Sequence, residues 1–221
     1  MSARNAVIIG TGGDRSRSRY GERRAPTPAA RDHGRTPVPR RIPHEFYPTP
    51  PEAVRALLSV ESFDGPIWEP ACGEGAIAIE LAAAGHGVVS TDLYPYGFGQ
   101  SCIDFLAEPA PRARHIVTNP PYGHGLADAF MLKALALTRQ TEGKVALLFN
   151  LASLCHPRRT ALWRKIPPAR IYAIDDIVCW PAHRYGPAPV AFTRHRYCWA
   201  VWHPGHRGEP RFWWLSSSEF R

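Results

Sequence analysis

WEPACGEGAIAI, residues 68–79, is the stretch on which the fold turns. IWEP (67–70) is a short apolar run of the kind that forms a buried strand. AIAIELAAAG (76–85) is a small-residue helix that ends in glycine. Between them Gly73 and Gly75 remove the side chains that would hold a ligand away from the backbone. A strand, a glycine turn and a helix in that order put the turn at the strand's carboxyl end, where open α/β sheets bind ligands. A nucleotide phosphate there would call for a lysine or arginine. This turn offers two acids, Glu69 and Glu74, and so suits a ligand carrying a positive amino group.

Outward from this unit the pattern repeats. GVVSTD (87–92), HIVTN (115–119), KVALLFN (144–150) and RIYAIDDIV (170–178) read as strands. LADAFMLKALAL (126–137) reads as a helix, and SLCHPRRTALWRKI (153–166) as a helix from Pro157 onward. AFTRHRYCWAVWH (191–203) reads as a strand with a bend, and RFWWL (211–215) as another. Ahead of them all, YPTPPEAVRALLSV (47–60) carries helix-start signals. Thr49 is placed to cap, Pro50 suits the first turn, and Glu52 completes a T-x-x-E box. The order predicts an α/β fold: a doubly wound, mostly parallel sheet with an antiparallel strand pair at its C-terminal end. The late tryptophans, Trp199, Trp202, Trp213 and Trp214, are expected to pack in the core.

Two further acids follow the glycine turn. Asp92 ends the next strand about twenty residues on, where an acid takes ribose hydroxyls, and Leu93 beside it is placed to cover a ring. CIDFL (102–106) brings Asp104, an acceptor for an adenine amino group, and Phe105. After the strand HIVTN comes TNPPYG (118–123). Two prolines cannot lie inside a helix or a central strand. The chain therefore makes a stiff turn that presents the amide of Asn119 and the ring of Tyr122.

YPTP (47–50), EPACGEG (69–75), TDL (91–93), DFL (104–106) and NPPY (119–122), in that order, resemble the S-adenosylmethionine-dependent amino-methyltransferases. The chain is most similar to the small DNA N6-adenine methyltransferases, including phage-borne ones. The resemblance covers roughly residues 47–122 with specific motifs and continues more loosely over the later strands. It implies a Rossmann-like class I methyltransferase fold and S-adenosylmethionine as cofactor. It places Tyr47, Thr49, Glu69, Ala71, Gly73, Gly75, Asp92, Leu93, Asp104 and Phe105 around that cofactor. It also implies that the Asn119 side-chain oxygen and the Pro120 carbonyl accept the two hydrogens of a target amino group. Pro121 then stiffens the turn and Tyr122 stacks on the target base. Such enzymes transfer the methyl group directly, so no cysteine nucleophile is required. Enzymes that methylate a glutamine amide or an RNA base use similar tetrapeptides and remain alternatives, as does a nucleic-acid-binding module without catalysis. A cytosine N4 enzyme more often has serine at the position of Asn119.

Charge and composition bear on the partner. The chain has 221 residues and a net charge of +8. Residues 1–41 hold ten arginines and no lysine against three acids, which leaves the rest close to neutral. Residues 1–43 read as a basic, disordered arm ahead of a catalytic domain over 44–221. The arm is a solvated tail, an electrostatic arm for phosphate backbone or an Arg-rich transit segment. VIIGTGG (7–13) is followed by RSRSRYGERR rather than an apolar helix, which argues against a dinucleotide fingerprint. CWPAHRYGPAPVAF (179–192) places Trp180, Arg184 and Tyr185 between prolines. It reads either as a loop that stacks on bases and touches phosphates or as a plain surface turn. Cys198, His203 and His206 lack metal-ligand spacing, so no metal is expected. Five scattered cysteines fit a reducing cytosol, and no run reaches the ~20 apolar residues of a membrane span. The expected partner is DNA, with RNA as the alternative, and a monomer is favoured.

Overall fold

The computed structural model describes residues 41–221. The expected arm therefore falls almost wholly outside the described residues. The boundary at 44 shifts: Ile42 is buried against Phe46 and Trp180 and belongs to the folded body.

Helix α1 (Pro51–Val60) is followed by β1 (Ile67–Glu69), α2 (Ala76–Ala83), β2 (Val88–Ser90) and β3 (His115–Thr118). Next come α3 (Leu126–Thr138), β4 (Val145–Asn150), α4 (Pro157–Lys165) and β5 (Arg170–Ile174). Two single-turn helices, α5 (Ala182–Tyr185) and α6 (Val190–Thr193), precede β6 (Tyr197–Trp202) and β7 (Arg211–Leu215). The seven strands form one sheet in the order β2-β1-β3-β4-β6-β5-β7. β6 runs antiparallel between β4 and β5, and every other pairing is parallel. β6 and β7 do not pair with each other; β5 lies between them.

Both faces of the sheet are covered, which is why its central strands are continuously apolar. Ala146 and Leu148 of β4 face one core with Val54 and Leu57 of α1 and Trp199 of β6. Val145, Leu147 and Phe149 face the other with Phe130, Met131 and Ala134 of α3. Trp199 and Trp202 pack in the core as expected. Trp213 and Trp214 do not: β7 is an edge strand, and they are 44% and 78% exposed.

Two local expectations are corrected. α1 has no side-chain cap, because Pro50 and Pro51 set the helical entry and the Thr49 hydroxyl is used elsewhere. The stretch 191–203 is not one bent strand, since its start completes the turn of α6. No helix among the described residues is long and apolar enough to cross a membrane.

The sheet order positions the site. β1 lies between β2 and β3, so successive connections leave it in opposite directions and open a crevice at the carboxyl ends. Strands lie ~4.8 Å apart, so groups at the ends of these three strands start within about 10 Å of one another.

Candidate active site

That crevice holds a cavity of about 300 Å³, at the lower end of the ~300–1,000 Å³ common for ligand pockets. Each strand end contributes to it. β1 supplies Glu69 and, through the turn, Ala71 and Gly73; β2 leads to Asp92 and Leu93; β3 leads to Asn119 and Pro121. Asp104 and Phe105 come from the loop between β2 and β3, and Tyr47 and Thr49 from the segment before α1. The glycine turn and the amide after β3 thus share one cavity.

Three expected residues do not line it. Gly75 sits behind the turn as the first residue before α2, with φ at +87°. Pro120 is buried. Tyr122 lines a neighbouring groove of about 1040 Å³, which shares Glu45 and Tyr47 with the cavity.

The electrostatics of the cavity are one-sided. Glu45, Glu69, Glu74, Asp92 and Asp104 line it, with no lysine or arginine. Glu45 is paired with Arg41, and Glu74 with Arg184 and His183. Glu69 is 1% exposed and its Oε2 has no hydrogen-bond partner. Burial raises its carboxyl well above the ordinary range, and the nearby charge of Asp92 adds to this. Burial raises Asp92 too, against the opposing pull of its backbone donors. Two acids raised by burial around an enclosed space leave that space short of positive charge, which a cationic ligand supplies. Asp92 has a second use: Oδ2 accepts the Gly73 N–H at 2.8 Å and Oδ1 the Tyr94 N–H at 2.8 Å. It therefore pins the glycine turn to the end of β2. The Cys72 thiol, also in the lining, is pushed up to about 12 by burial and by Glu69 and Asp92, so it stays protonated.

Asn119 is held by groups far away in sequence. Its Nδ2 donates to the Tyr47 carbonyl at 2.9 Å and to Thr49 Oγ1 at 3.1 Å. A backbone carbonyl only accepts, so this contact fixes the amide with its oxygen pointing away from Tyr47. That oxygen lies 2.6 Å from the Tyr122 hydroxyl, which is also 3.0 Å from the Leu148 carbonyl. One phenolic hydrogen serves one of these acceptors at a time. Asn119 Oδ1 accordingly keeps at least one lone pair for another donor.

The residues that sequence reasoning missed form a roof. Phe46 stacks on Tyr96 with ring centroids 4.5 Å apart, and His44 stacks on Tyr94 at 3.7 Å. Arg184 lies over the Phe46 ring at 4.9 Å and the Tyr96 ring at 5.5 Å while pairing with Glu74 of the glycine turn. A Cβ on Gly73 would sit 2.6 Å from the Phe46 ring, so this glycine admits the roof as well as a ligand. The only advance signals were aromatics: HEFY (44–47) and YPY (94–96).

In the loop expected to meet nucleic acid, Trp180 packs inward instead, while Arg184 stays exposed. Trp180 is 6% exposed, packs on Phe192 at 4.6 Å and donates its indole N–H to the Gly186 carbonyl. Tyr185 is half-buried beside it. Arg184 is committed to Glu74 and the roof. The apolar ring of Trp180 gains more from this enclosure than from water, which a sequence of prolines and aromatics does not reveal.

No known protein family's sequence pattern and no curated protein matches the chain. Solved structures do. A Listeria monocytogenes protein assigned to the class I S-adenosylmethionine-dependent methyltransferases is 12% identical, with a TM-score of 0.57 over 80% of this chain and 68% of that one. A Vibrio vulnificus protein assigned as the modification subunit of a type I restriction enzyme is 14% identical, with a TM-score of 0.51. That match covers 77% of this chain and 46% of the other, so this chain corresponds to about half the length of that subunit. The chain has the class I S-adenosylmethionine-dependent methyltransferase fold.

Proposed function

We propose that the protein is a DNA adenine N6-methyltransferase that uses S-adenosylmethionine. The observation that carries this is the Asn119 amide. Both its N–H groups are spent on Tyr47 and Thr49, and its oxygen, beside the Tyr122 hydroxyl, keeps a lone pair for another donor, in the lining of the cavity that contains the Gly73 turn. The cavity fits the cofactor in charge. It lacks any arginine or lysine, which disfavours a polyphosphate, and the orphan Glu69 oxygen suits an ammonium group. Glu69 and Asp92 would hold the amino acid and ribose ends, and Phe105 and Leu93 would flank the base.

When bound, S-adenosylmethionine supplies a methyl group on a positively charged sulfur. The exocyclic nitrogen of adenine is a weak nucleophile because its lone pair is delocalised into the ring. Asn119 Oδ1 and the Pro120 carbonyl would accept its two hydrogens and turn the lone pair toward the methyl carbon. Positive charge grows on that nitrogen as the bond forms, so these acceptors favour the transition state over the ground state. The prolines keep them in place, where a misplacement of about 1 Å can cost ~100-fold in rate. The buried, protonated Cys72 takes no part.

A target adenine inside a duplex must first be flipped out, at a cost of a few kcal/mol. The groove next to Asn119 is where the flipped nucleotide would enter. Arg41, Arg158, Arg159, His156 and His195 line it against Glu45 and Asp128; these acids pair with Arg41 and Arg159, and Arg158 has no ion pair among the described residues. That lining favours a nucleic acid over a protein amide.

The test is to incubate the protein with methyl-labelled cofactor and, separately, DNA, RNA and a protein extract, then digest and identify the labelled product. N6-methyldeoxyadenosine is expected. Label on RNA or on a glutamine amide would overturn the DNA assignment. Cofactor binding without transfer to any fraction would overturn the enzyme.

A further inference from the structure

At the opposite end of the sheet from the cofactor cavity lies a second cleft, of about 1000 Å³. Its walls are the turn after α3, the end of α4 and the 203–208 turn between β6 and β7, so it sits at the amino ends of β4 and β5. Leu135, Ile166 and Trp202 contribute an apolar floor.

The rim is strongly basic. Arg139, Arg164, Lys165 and Arg207 line the cleft against one acid, Glu142. None of the four cations has an ion pair among the described residues. Several arginines elsewhere are paired, Arg55 with Glu80, Arg112 with Glu108, Arg159 with Asp128 and Arg170 with Glu61, whereas here four unpaired cations gather around one cleft. Helix dipoles account for part of the excess. α3 and α4 both end here, and each C-terminus carries the equivalent of about half a negative charge. Two such ends offset roughly one of the three net positive charges, and about two remain. The ring of His206, which also lines the cleft, has an enclosed Nε2 with no hydrogen-bond partner.

We propose that this cleft is a polyphosphate-binding site, taking two or three adjacent phosphate groups. Arginine presents a planar fork that matches phosphate oxygens in pairs, and lysine adds a point charge. The apolar floor would accommodate a ring attached to the phosphates. A nucleoside triphosphate and the 5′-triphosphate end of a nucleic-acid strand both carry this chemistry. The site shares no residue with the cofactor cavity, so it stands or falls independently of the methyl-transfer reading.

The experiment is a calorimetric titration of the full chain with inorganic tripolyphosphate at physiological salt, repeated with Arg164→Gln/Arg207→Gln. Both side chains are exposed, so the double variant should keep the wild-type melting temperature and S-adenosylmethionine affinity. Tripolyphosphate affinity should fall at least tenfold in the variant. ATP and a 5′-triphosphorylated oligonucleotide, each compared with its unphosphorylated form, then tell the two sources apart. No binding to the wild type, or equal binding to the double variant as expected if the basic N-terminal segment were the receptor, would overturn the proposal.

Discussion

Thr49→Val tests how Asn119 is positioned. The substitution keeps the volume and branching of a residue that is 3% exposed, and removes only the hydroxyl that accepts the Asn119 N–H at 3.1 Å. The Tyr47 carbonyl still holds the amide at 2.9 Å, so Asn119 is loosened rather than released. A hydrogen bond of this kind contributes about 0.5–1.5 kcal/mol, and leaving an enclosed donor unmade costs about 1–3 kcal/mol. If that deficit falls on the transition state, each ~1.4 kcal/mol lowers kcat about tenfold, giving a loss of roughly 10- to 100-fold. Thr49 also lines the cofactor cavity, but its hydroxyl is turned to Asn119, so S-adenosylmethionine affinity should fall much less than kcat. The assay is methyl transfer to DNA at saturating cofactor, with calorimetry for binding and Thr49→Ser as the rescue that restores the acceptor. Wild-type kcat in Thr49→Val, or an equal loss in Thr49→Ser, would refute the reasoning.

Three other outcomes are expected. Gly73→Ala should lower stability by about 2–4 kcal/mol in denaturant melts, because its φ of +53° disfavours a side chain and the new methyl meets Phe46 at 2.6 Å. Combining it with Phe46→Leu should recover part of the loss. Glu61, at the end of α1, receives Lys144 at 2.9 Å, Arg170 at 2.6 Å and the Tyr172 hydroxyl at 2.9 Å. Burial alone would raise its carboxyl, but hydrogen bonds from His203, Lys144 and Arg170 prevail and hold it at about 2. A folded value below the unfolded 4.5 stabilises above pH 4.5 and is lost as pH falls from there toward 2, by about 3 kcal/mol; Glu61→Gln should flatten that limb of a stability-against-pH curve. Arg184→Gln frees Glu74 and uncovers the Phe46 and Tyr96 rings, so cofactor release in stopped-flow should quicken while the melting temperature moves little.

The parts of the fold that could be read from sequence are those in which cause and effect lie close together along the chain. β1, its glycine turn and α2 are one continuous segment, and the Asn119 turn follows directly from two prolines after a strand. Helix and strand alternation then fixed the order of layers. What could not be read depends on contacts across long separations. Thr49 looks like a helix cap to its neighbours, but Asn119, seventy positions away, takes its hydroxyl. Arg184 looks like a surface cation until Glu74 is brought beneath it from 110 positions away. The tryptophans of β6 and β7 have similar patterns, and only the sheet order, which leaves β7 at the edge, separates buried from exposed.

Asn119→Ala probes the central claim most directly, with S-adenosylmethionine binding and methyl transfer to DNA measured on the same preparation. Removing the amide should abolish turnover and leave cofactor affinity nearly unchanged. Turnover at the wild-type rate, or loss of cofactor binding together with activity, would contradict the assignment of this amide to the target amino group.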